Sequence, residues 1–202
     1  MTAGQRAMRA VTTVVVRVPA LWGLLRRPVA ANFDRLAAGW DASRVDERRL
    51  GAIGAALAAV GPAPARALDL GTGSGAIARK LSERWPEAEV TGVDVSSQMI
   101  AEARRLSSSV RQTFTVADAA RLPFPAGTFD LVALNNMIPF FDELARITAR
   151  GGSVAIAYGL GAATPIWVPL DRVERELARR GFEAFERFDV PPGLALLARR
   201  PA

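Results

Sequence analysis

From residue 66 onward, short apolar runs alternate with segments whose apolar positions recur every three or four residues, the two spacings that distinguish buried strands from amphipathic helices. The runs predict strands near 66–70, 89–94, 112–116, 129–134, 153–158, 183–189 and 194–199, with helices near 75–84, 97–106, 138–149 and 169–180. Such alternation builds an α/β domain with a doubly wound, mostly parallel sheet of seven strands. Ahead of it the pattern is different. Val11 to Leu25 is apolar except for Arg17, two threonines and a proline. Asn32 to Asp41 places Phe33, Leu36 and Trp40 at helical spacing, and Val45 to Val60 reads as an alanine-rich helix. Gly61-Pro62-Ala63-Pro64 then stops the helix. The division expected is therefore a helical arm and lid over residues 1–62 and a core over 63–202.

The arm's apolar run is too short to span a bilayer and is broken by Arg17 and Pro19. No small-residue cleavage site follows it, so a secretory leader is not expected. It is expected to pack on the body or on a second subunit, giving a homodimer. The alternative is peripheral contact of a basic amphipathic segment with an anionic membrane.

Composition narrows the chemistry. Half of the 202 residues are apolar, enough to bury a substantial core. There is no cysteine, hence no disulfide framework and no thiolate nucleophile, which fits a cytoplasmic protein. There is also no histidine. The commonest general base and the commonest metal ligand are both missing, and no metal site is expected. Proton transfer is left to Tyr158 or to carboxylates such as Asp142 and Glu143. The net charge of +6 and a pI near 11.2 come almost wholly from arginines scattered among alanines, with Lys80 the only lysine. Scatter of this kind argues against nucleic acid as a partner, which would call for basic residues focused on one face.

Ala67-Leu68-Asp69-Leu70-Gly71-Thr72-Gly73-Ser74-Gly75-Ala76 is a strand entering a glycine-rich turn and then a helix. Such a turn lets a ligand approach the backbone beside the unpaired N–H groups of a helix start. Read as G-x-G-x-x-A it also fits a dinucleotide site, which keeps a nicotinamide dehydrogenase open. The charges favour a cationic ligand. Three successive predicted strands end in Asp69, Asp94 and Asp118. Asp69 would face an ammonium, Asp94 both ribose hydroxyls and Asp118 an adenine amino group.

With Gly92-Val93-Asp94-Val95-Ser96-x-x-Met99, Ala117-Asp118-Ala119, Phe129-Asp130-Leu131-Val132 and Gly151-Gly152, this set resembles the class I S-adenosylmethionine-dependent methyltransferases, in detail over roughly residues 65 to 160. The resemblance implies a Rossmann-like methyltransferase fold with a C-terminal antiparallel strand, added by a hairpin across Pro191-Pro192-Gly193. It implies S-adenosyl-L-methionine as cofactor and S-adenosyl-L-homocysteine as product. The glycine loop (Gly71, Thr72, Gly73, Gly75) and Asp69 would hold the methionine part, and Asp94 the ribose. Val95, Met99, Asp118 and Ala119 would hold the adenine, and Asn135 joins the cofactor set.

The segment with Phe33-Asp34 and Trp40-Asp41 is similar to one that forms a lid over the cofactor in many small methyltransferases. The acceptor pocket is expected from Phe33, Trp40, Asn136, Met137, Phe140, Tyr158 and Trp167. The connection after the fourth strand is shorter than in many relatives and lacks their histidine pair, and Asn136-Met137 is not the Asn-Pro-Pro-aromatic motif of enzymes that methylate exocyclic amines. The function expected is methyl transfer to a small apolar or aromatic metabolite at oxygen, carbon or a small amine. The alternative is an inactive cofactor-binding scaffold or partner subunit.

Overall fold

The computed structural model describes residues 1–202. Helix α1 (Ala3–Arg17) opens on a capping box in which Thr2 and Gln5 exchange hydrogen bonds. It ends before Pro19, because the residue preceding a proline is pushed out of the helical region. A single 3-10 turn (Pro19–Leu21) then redirects the chain into α2 (Trp22–Leu36). The apolar stretch around Val11–Leu25 is thus a helical corner, and no helix is long and apolar enough to cross a membrane. Short α3 (Trp40–Arg44) and α4 (Glu47–Ala58, capped by Asp46) complete the amino-terminal part.

The core follows as β1 (Arg66–Leu70), α5 (Ala76–Arg84), β2 (Glu89–Asp94), α6 (Ser97–Arg105), β3 (Gln112–Val116), β4 (Phe129–Asn135), α7 (Phe141–Ile147), β5 (Thr148–Tyr158), α8 (Leu170–Ala178), β6 (Glu183–Val190) and β7 (Gly193–Arg199). The seven strands lie in the order β3-β2-β1-β4-β5-β7-β6, with β7 antiparallel to both its neighbours, as expected. Helix α7 is shorter than the periodicity predicts. Pro139 disfavours a helical Ile138, Phe140 (φ −96°, ψ 89°) is the non-helical residue ahead of the first turn, and Thr148 already belongs to β5, which begins five residues before the predicted start.

Apolar cores cover both faces of the sheet. One joins β1, β4 and β5 to α7 and α8 and continues under α1 and α2 through Val15, Trp22 and Val29. The other joins the opposite face to α4, α5 and α6 through Leu50, Ile53, Ile77 and Ile100. Packing is closest at Gly92 in β2, where a β-carbon would lie 2.5 Å from the Phe114 ring and 2.8 Å from the Thr72 hydroxyl. Gly92→Ala is expected to cost about 2–3 kcal/mol by overpacking. Thermal unfolding should show a Tm lower by roughly 4–12 °C.

Candidate functional site

The carboxyl ends of β1, β2, β4 and β5 open into a cavity of about 640 Å³, within the range of small-molecule sites. Crevices of this kind, beyond the strand ends of an open parallel sheet, are where such folds take ligands. Its floor is the loop after β1. Gly71 and Gly73 both have positive φ, +75° and +52°. At Gly73 a β-carbon would meet only Trp40, 3.6 Å away, so the backbone lies open to the cavity under that indole. Gly75 does a different job from the one expected. It makes the left-handed turn into α5 and packs against Ala103 and Phe114, away from the cavity.

Asp69 also departs from expectation. The structure sets it behind the loop, only 1 % exposed, where Oδ2 accepts from the Thr72 hydroxyl at 2.6 Å and from the Ala78 N–H at 2.9 Å. Its carboxyl ties the glycine loop to the first turn of α5 rather than facing the cavity. Burial is the main reason its pKa is raised to about 7, against the two hydrogen bonds.

Asp94 does line the cavity. Its Oδ2 accepts from the Gly73 N–H at 3.0 Å and its Oδ1 from the Ser96 N–H at 2.9 Å. The end of β2 is thereby fixed to the floor loop. Burial raises the Asp94 pKa, opposed by these backbone donors. Val95, Met99, Ala117 and Ala119 continue the wall. Asn135 closes β4, and its Oδ1 is buried with no donor in reach. Such an orphaned acceptor on a cavity wall is suited to a ligand N–H. Asn136 lines the cavity as well, but in the left-handed region (φ 56°), with its Oδ1 accepting from Gly159 N–H to join the ends of β4 and β5.

Asp118 is already engaged. Trp22 Nε1 donates to its Oδ1 at 2.7 Å and Arg26 pairs with its Oδ2 at 3.1 Å, so both oxygens serve the amino-terminal arm. It borders a smaller hollow of about 280 Å³ with Arg26, Val95 and Ala117, not the main cavity.

The roof comes from the arm and lid. Thr2, Gln5 and Met8 of the α1 region, Trp22, Val29 and Phe33 of α2, and Trp40 line the cavity. Long-range polar contacts hold these helices. Arg9 donates to the carbonyls of Ala162, Thr164 and Pro165 in the loop after β5, and Arg172 donates to Val16 O. Asp34 accepts from Ser96 Oγ at 2.6 Å and from Gln98 N–H, at the start of α6. Asp41 accepts from Ser74 Oγ at 2.8 Å and pairs with Arg79 at 2.7 Å, over the floor loop. In each aromatic-aspartate pair, the ring faces the cavity and the acid fastens the lid. Phe33 and Trp40 meet edge to face, with centroids 5.7 Å apart.

The remaining expected residues lie elsewhere. Met137 lines the cavity, but Phe140 packs on Trp22 beside it, and Tyr158 and Trp167 stack edge to face outside it. Tyr158 is fully buried, which pushes its phenol pKa upward. Asp142 is exposed and paired with Arg180. Glu143 accepts from Leu122 N–H and is held by Arg146. None of the three expected proton acceptors reaches the cavity. Arg44 and Arg49, which carried no sequence signal, do line it.

Residues 67–152 match the family described as "Methyltransferase domain". The malonyl-[acyl-carrier protein] O-methyltransferase of Geobacter sulfurreducens is 35 % identical over 81 % of this chain and 73 % of its own length. This chain belongs to the S-adenosylmethionine-dependent methyltransferase family. The demethylmenaquinone methyltransferase of Thermus thermophilus is 42 % identical over 46 % of the chain, which spans 47 % of that relative. Among solved structures, the complex of the Haloferax volcanii Trm112 methyltransferase activator with a methyltransferase aligns at a TM-score of 0.71 and 20 % identity. The match covers 84 % of this chain and 98 % of that one and shows the shared fold. The dehydrogenase reading of the glycine turn is thereby set aside in favour of methyl transfer.

Proposed function

We propose that this methyltransferase transfers a methyl group from S-adenosylmethionine to a small acceptor bound under the α1–α3 lid. The observation that carries the reading is the convergence of the open backbone at Gly73, the Asp94 carboxylate and the unpartnered Asn135 oxygen on one roofed cavity. When bound, the cofactor supplies an electrophilic methyl group carried on a sulfonium. Gly71 to Gly73, with Asn135, are placed to hold its amino-acid end and Asp94 its ribose. Val95, Met99, Ala117 and Ala119 offer an apolar slot for adenine. Phe33, Trp40, Met137 and Ile138 bound the space left for an acceptor and exclude water from it, which favours charge-neutralising transfer by orientation and desolvation. The relatives' names support an O- or C-acceptor: they include an O-methyltransferase and a C-methyltransferase.

Calorimetric titration tests the reading. S-adenosylhomocysteine is expected to bind with one-to-one stoichiometry, and at one hundred times its Kd to stabilise the fold by about 2.7 kcal/mol. NADH is expected to give neither heat nor a thermal shift. Turnover with any acceptor from a metabolite extract would set aside the scaffold alternative; no heat with millimolar S-adenosylhomocysteine would overturn the proposal.

A further inference from the structure

The cavity is unusual in its ionisable residues. Only Arg44, Arg49 and Asp94 line it. Each oxygen of Asp94 already accepts one backbone N–H, from Gly73 or Ser96, and what acceptor capacity remains is assigned above to the donor's ribose. The chain has no histidine, and Tyr158, Asp142 and Glu143 are all turned elsewhere. A neutral alcohol, phenol, thiol or protonated amine would therefore find no side chain to take the proton it must lose.

The cations are placed differently. Arg49 is paired with Asp46 at 3.0 Å. Arg44 has no carboxylate partner; its guanidinium lies over the Trp40 ring, 4.7 Å from the centroid, at the cavity's edge. Contact with the indole face holds the guanidinium at this edge without using up its N–H donors, which suits it to a carboxylate. Trp40 is in turn held over the floor loop through Asp41 and its contacts with Ser74 and Arg79. The cavity thus joins an apolar interior to one cation without a carboxylate partner at its rim.

We propose that the acceptor is a carboxylate on an apolar body, bound through Arg44 and methylated on oxygen with no general base. The proposal rests on the methyl-transfer reading above. One carboxylate oxygen forms a bond to the methyl carbon as the methyl–sulfur bond breaks and its electron pair stays on sulfur. The products are a methyl ester and a neutral thioether. No proton changes place, so the missing base is no handicap, because a carboxylate is already ionised at neutral pH.

A binding experiment with the wild-type protein preloaded with S-adenosylhomocysteine tests this separately from turnover. The probes are 3-phenylpropionate and octanoate, each compared with its amide of the same shape. The acids are expected to bind at least tenfold more tightly than the amides. Arg44→Gln is expected to remove that preference while changing the Kd of S-adenosylhomocysteine less than twofold. With S-adenosylmethionine supplied, methyl esters should form from the acids in an acceptor panel of acids, phenols and amines. Equal binding of acid and amide, or methylation confined to phenols or amines, would overturn the carboxylate proposal and leave methyl transfer standing. If Arg44→Gln instead weakens S-adenosylhomocysteine and leaves the acid's affinity unchanged, Arg44 serves the donor's carboxylate and the acceptor assignment falls. Failure of S-adenosylhomocysteine to bind at all would sink the methyl-transfer reading itself.

Discussion

Asp94→Asn is expected to weaken S-adenosylhomocysteine binding by more than a decade in Kd while the fold survives. The amide keeps one acceptor for the Ser96 N–H, but its NH2 group cannot replace the oxygen that takes the Gly73 N–H. The floor loop then loses its tie to β2, and the cavity loses its only acidic side chain. Truncating a buried, hydrogen-bonded charge at a binding site costs about 2–5 kcal/mol. At 1.4 kcal/mol per decade, Kd should weaken roughly 30- to 4,000-fold. The unliganded protein should lose only about 1–3 kcal/mol, the cost of leaving one N–H without its partner. Calorimetry and thermal unfolding on the same sample separate the two effects. An unchanged Kd beside a large fall in Tm would show Asp94 to be a structural strut and no more.

The second large effect is a dependence of stability on pH. Burial raises Asp69 to about 7, so between pH 4 and 7 the native chain binds a proton that the unfolded chain has released. Stability must therefore fall as pH rises through that window and level off above it. The loss from pH 5 to 7 should be roughly 2–3 kcal/mol for this single group. Asp94, also raised by burial, adds a slope of the same sign. The window is clean because the chain has no histidine to titrate there. Asp69→Asn can still accept from the Ala78 N–H, and it should flatten most of the slope. Urea unfolding at several pH values reads this directly, and a wild-type curve that rises from pH 5 to 7 would refute it.

What the sequence disclosed follows from how local each signal is. Strands, the glycine turn and the acid ending β2 are written in a few adjacent residues, and, the early start of β5 aside, the structure places them where the pattern puts them. Asp118 looked available because nothing near it shows that Trp22 and Arg26, nearly a hundred residues earlier, will take both its oxygens. Tyr158 ends β5 beside the cavity in sequence, yet its side chain turns into the core against Trp167. Asp69 shares the loop's motif but points behind it, because its neighbours Thr72 and Ala78 supply donors there. Arg44 carried no local pattern at all. Its position is set by Trp40 and by the lid folding back over β1, a tertiary event that no periodicity in residues 40–49 records.

The placement of the two ends has a practical consequence for handling the protein. Thr2, Gly4 and Gln5 border the cavity, whereas Ala202 lies beside Gly151, near the amino end of β5 and away from the strand ends that open into the cavity. An affinity tag joined ahead of Met1 would emerge at the ligand's doorway and compete for it. Purification handles, fluorophores and surface-immobilisation linkers therefore belong after residue 202.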